Sequence, residues 1–93
     1  MTNDKERIKN TIENGNYRDL IGLEIEVDDL QLLLSKLGWE RGEVGDSEWY
    51  RNVAENINGY IAELQAVKDD KTLTIVVDGL DGFYPMIKDV DVE

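Results

Sequence analysis

A chain of 93 residues, 41% of them hydrophobic, has material for one core and one domain, residues 1–93. It has no cysteine and no histidine, which excludes disulfides, thiolate metal sites, thiol nucleophiles and imidazole acid–base chemistry. Twenty-one acidic against ten basic residues leave a net charge of −11, a field that repels nucleic acid and anionic membranes and attracts basic proteins.

The first segment mixes Lys5, Arg7 and Lys9 with Asp4 and Glu6. It lacks the apolar stretch of a secretory signal, and no apolar run nears the ~20 residues of a spanning helix, so a cytoplasmic protein away from membranes is expected. A cap at Thr2, Asn3 or Asp4, the pair Ile8 and Ile12, and Gly15 predict a short helix ending near Asn14. Leu23-Glu24-Ile25-Glu26-Val27 alternates as a half-buried strand does. Asp28 with Gln31 suggests a capping box, and Val27 with Leu32 a hydrophobic staple, for a second helix from about Asp29 to Gly38. Residues 39–46 read as the longest loop.

From Trp49, the apolar positions Val53, Ile57, Tyr60, Ile61, Leu64 and Val67 recur at spacings of three and four, predicting a third and longest helix interrupted by Gly59. Asp69-Asp70-Lys71 marks a turn, Leu73 to Val77 a strand, and Met86 to Val92 a last strand beyond Pro85. The expected fold is therefore α+β: a small antiparallel or mixed sheet of about three strands, with two to three helices packed on one face.

Few constellations suggest chemistry. Asp78-Gly79-Leu80-Asp81-Gly82 pairs carboxylates with glycines, but Leu80, Gly82 and Asp89 stand where a calcium loop needs oxygen ligands, so a glycine-rich turn is expected there and no metal or cofactor. Glycoside hydrolysis would use paired carboxylates with Trp39 or Trp49 as a sugar platform, yet it needs a cleft that so short a chain seldom builds. No enzyme is expected. Direct nucleic-acid binding is not expected either, because basic stripes and phosphate loops are missing.

The acidity is unevenly placed. Residues 1–18 hold four basic and three acidic side chains, +1, so residues 19–93 carry −12; residues 19–48 hold nine acidic against two basic side chains. Alternation on the expected strand aligns Glu24, Glu26 and Asp28 at spacings of ~6.6–6.8 Å, with Asp29 following, and Asp89, Asp91 and Glu93 form a second row. The loop adds Glu40, Glu43, Asp46 and Glu48. Carboxylates at that spacing suit a protein surface built to grip phosphates. The expected function is a non-enzymatic inhibitor or modulator that occupies a basic, nucleic-acid-binding protein as a mimic of DNA or RNA, with Trp39 and Tyr84 as aromatic anchors. In charge and size the chain is similar to small acidic inhibitors encoded by phages and mobile elements. The alternative is a structural or assembly module that acts through an apolar helix face, with a homodimer as one form.

Overall fold

The run Lys71–Asp78 is rich in β-branched residues and alternates in burial, with Leu73, Ile75 and Val77 fully buried and Thr72, Thr74 and Val76 half-buried. In the computed structural model, which describes residues 4–42, 49–57, 59–79 and 85–93, this run is strand β4. It follows strand β3, Gly59–Lys68, through a two-residue hairpin turn in which Asp69 and Asp70 both have positive φ, 50° and 67°, the signature of a type I′ turn. The β3–β4 register runs from Lys68 opposite Lys71 to Ile61 opposite Asp78.

Three further strands extend this hairpin, all antiparallel. Strand β5, Met86–Val92, pairs with β4 and carries a bulge at Lys88. Strands β1, Glu40–Arg41, and β2, Tyr50–Asn56, both pair with the opposite side of β3. The Gly42 N–H donates to the Gln65 carbonyl at 2.9 Å, and the Gln65 N–H donates to the Trp49 carbonyl at 3.1 Å. β1 and β2 thus lie along the same side of β3, with Gly42 and Trp49 meeting at Gln65.

The sheet has five strands, not about three, and two α-helices accompany it. The third helix expected from Trp49 to Val67 is instead the β2–β3 hairpin. Its apolar positions fit a 3.6-residue period, but Ala62, Leu64 and Ala66 are fully buried while Ile61, Glu63, Gln65 and Val67 are only half-buried, which is a period of two. Gly59, with φ 112°, opens β3 rather than interrupting a helix.

Helix α1, Lys5–Glu13, buries Ile8 and Ile12, and helix α2, Val27–Lys36, buries Val27, Leu30 and Leu34. A 3₁₀ turn at Tyr17–Leu20 lies between them and buries Leu20. Both helices end in Schellman motifs. Gly15 and Asn16 N–H groups return to Ile12 and Thr11, and Gly38 and Trp39 N–H groups return to Ser35 and Leu34. The Lys68 ammonium, 2.8 Å from the Leu37 carbonyl, ties the end of α2 to β3.

The residues from Leu23 to Val27 form no full strand. Glu24 makes one bridge to Met86, and the segment bonds to the start of β5 through Gly22 and Ile87, Ile87 and Leu23, and Ile25 and Pro85. Asp4 fixes its other side, accepting the Glu24 N–H at 2.9 Å through its carboxylate. α2 begins two residues earlier than expected, with Glu26 at its N-cap and no side-chain capping bond. Leu32 is 61% exposed, so the staple to Val27 does not form.

Candidate partner-binding face

One face of the sheet is the core. Ala62, Leu64, Ala66, Leu73, Ile75, Val77, Ile87 and Val90 pack there with Ile8, Leu20, Leu30 and Leu34 in a single buried cluster. Alternation turns the other residues of the same strands outward, and among the described residues no helix lies over them. The register then fixes which side chains share this open face.

Ala54, Ile61, Asp78 and Met86 stand side by side across the strands, and Glu24 bridges to Met86 at their end. The next row holds Arg51, Glu63, Val76 and Asp89, and Gln65, Thr74 and Asp91 follow. Glu40, Val67 and Thr72 close the face, with Glu93 bonded to Thr72 by backbone hydrogen bonds in both directions. Rows recur about every 6.8 Å along a strand, and neighbouring strands lie about 4.8 Å apart.

Charge concentrates on this face. It carries the carboxylates of Glu24, Glu40, Glu63, Asp78, Asp89, Asp91 and Glu93 against Arg51 and the exposed bulge residue Lys88, seven against two, or −5. Apart from Glu24, residues 4–36, which hold both helices, have seven acidic and five basic side chains, and Arg41, Glu55, Lys68 and Lys71 face the same side from the strands, which leaves that side close to neutral. Arg51 is itself engaged with Glu63 at 3.3 Å. Among the described residues no three carboxylates gather closely enough to hold a metal ion. The face is an array of spaced charges.

The expected partner-binding residues are divided by the fold. Asp89 and Asp91 lie on the open face with Glu24 and Glu40. Glu26 is the N-cap of α2, Asp28 is exposed in its first turn, and Asp29 pairs with Lys5 at 3.4 Å, so the ladder of Glu24, Glu26 and Asp28 does not exist. Trp39 is only 5% exposed and meets Tyr17 edge to face, with ring centroids 6.0 Å apart, so it is a core residue and not a surface anchor. Glu43, Asp46, Glu48 and Tyr84 lie outside the described residues.

Glu63 was missed because its segment read as a helix. The signal that finds it is the short alternation Ala62-Glu63-Leu64-Gln65-Ala66, which follows Gly59.

A separate cleft of about 480 Å³ lies where α1, α2 and the β3–β4 turn meet, lined by Ile12, Tyr17, Leu37 and Trp39 with Glu13, Asp69, Lys68 and Lys71 at its polar side. Its charges balance. No helix among the described residues is long and apolar enough to cross a membrane. No protein-family model, no curated protein and no solved structure matches this chain.

Proposed function

We propose that the protein binds a basic protein surface through the open face of its sheet, and that it acts as a non-enzymatic inhibitor or modulator of a nucleic-acid-binding partner whose phosphate-gripping side chains it engages. The observation that carries this reading is the one-sided charge: −5 on the open face against a helical side close to neutral. Separations of about 4.8 and 6.8 Å are of the order of phosphate spacing along a nucleic-acid strand, so Lys and Arg placed for phosphates can reach these carboxylates. Attraction over about one Debye length, ~8 Å at physiological salt, raises the encounter rate.

The test is affinity capture from lysate at low salt, followed by elution with duplex DNA or RNA. Proteins displaced by nucleic acid are the expected catch, and their binding should weaken steeply with salt. Reversal of Glu63, Asp89 and Asp91 to Lys should abolish capture, whereas reversal of Glu26 and Asp28 on the helical side should leave most of it. Equal loss from the two triplet and doublet variants would sink the assignment to this face.

A further inference from the structure

The cleft where α1, α2 and the β3–β4 turn meet has walls of unlike charge. On the strand side Lys68 and Lys71 stand opposite each other in the ladder, on the face that carries Ala66 and Leu73, and both line the cleft. Like charges so placed repel, and Asp69 in the turn offsets only one of them. The α1 wall is negative: the helix ends in Glu13, with no basic residue in its last turn to balance the carbonyl end of its dipole. α2 differs, for Lys36 lies in its last turn and the Lys68 ammonium bonds to its Leu37 carbonyl. Among the described residues Glu13 forms no ion pair with Lys68 or Lys71, although all three line the same space. The apolar lining consists of half-buried Tyr17 and Leu37 with the buried side chains of Ile12 and Trp39.

We propose that this cleft is a binding site for a free α-amino acid with an apolar side chain. Lys68 and Lys71 hold the carboxylate, Glu13 and the carbonyl end of α1 hold the ammonium, and the side chain covers Tyr17 and Leu37. The cleft volume of about 480 Å³ lies within the range of small-molecule sites, roughly 300–1,000 Å³. An apolar surface with a few charged groups around it is the usual make-up of such a site.

Simpler ligands satisfy one wall and not the other. A carboxylic acid without an amine leaves Glu13 and the end of α1 unanswered, and as an anion it is repelled by a chain of net charge −11. An amine without an acid leaves the lysine pair uncompensated. A zwitterion has no net charge to be repelled and carries one group for each wall. A polar side chain would leave Tyr17 and Leu37 in contact with water, which selects an aliphatic or aromatic one. The cleft lies on the helical side, so this site stands apart from the open face and does not depend on a basic partner.

The test uses the full chain with Trp49→Phe, which leaves Trp39 as its one indole. Free phenylalanine, N-acetylphenylalanine and phenylalanine amide are each titrated in at constant ionic strength and followed by Trp39 emission and amide chemical shifts. Phenylalanine should change the Trp39 emission saturably and shift the amides of Gly15, Tyr17 and Lys71, with the two singly charged analogues at least about 10-fold weaker. Lys71→Gln should weaken phenylalanine and its N-acetyl form about 3-fold and spare the amide, whereas Glu13→Gln should weaken phenylalanine and the amide about 3-fold and spare the N-acetyl form. Both residues are exposed, so neither substitution disturbs the core. The inference is overturned by the lack of a saturable response, by an analogue that binds as tightly as phenylalanine, by shifts confined to the open face, or by indifference of phenylalanine binding to both variants.

Discussion

Gly42 sits against Gln65 so closely that a Cβ at residue 42 would lie 2.7 Å from the Gln65 Cβ and 3.1 Å from its backbone carbonyl carbon. The Gly42 N–H bonds to the same residue, so the contact is where the edge of the sheet is pinned. Gly42→Ala should therefore force the strands apart and destabilise the fold by about 1–3 kcal/mol, measured by urea unfolding.

The Lys68 ammonium satisfies the Leu37 carbonyl at the end of α2, and its stem lies 3.6 Å from where a Gly38 Cβ would be. Lys68→Met keeps the stem and loses the bond. It should cost about 1 kcal/mol, with Lys68→Arg closer to the wild type, as read from paired denaturant curves.

The β3–β4 turn places two non-glycine residues, Asp69 and Asp70, in the left-handed region. Replacing the pair by Asn-Gly, the favoured residues of this turn, should stabilise the protein by roughly 0.5–1 kcal/mol through relief of that strain. A rise in the melting temperature of the D69N/D70G variant is the expected observation.

Leu64 and Val67 belong to the same strand and to opposite faces. Leu64→Ala should cost about 2–5 kcal/mol by opening a cavity, whereas Val67→Ala should cost under about 1 kcal/mol. Similar losses at both positions would mean that the open face is covered.

Much of the helical layer and the last two strands was legible, because Gly15 and Gly38 end helices in a position only glycine adopts readily and Leu73, Ile75 and Val77 alternate cleanly. The central strand was not. Glu63, Leu64, Gln65 and Ala66 are all good helix formers, and the small side chains of Ala62 and Ala66 weaken the alternation that their full burial reveals. Misreading β3 also misplaced the site: the carboxylates of Glu63 and Asp78 join the C-terminal row only through cross-strand register, which a linear pattern does not show. In the other direction, Glu24 to Asp28 alternated convincingly, yet α2 begins at Val27 and sends Glu26 and Asp28 away from Glu24.

Gly42 and Trp49 both bond to Gln65, so these two points of the chain meet the sheet at the same rung. The pairing of the remaining strands does not depend on how many residues lie between those two points, and doubling that number costs only about 0.6 kcal/mol of closure entropy. The edge thus behaves as a port. A foreign peptide or a whole domain grafted between Gly42 and Trp49 should leave every other register intact.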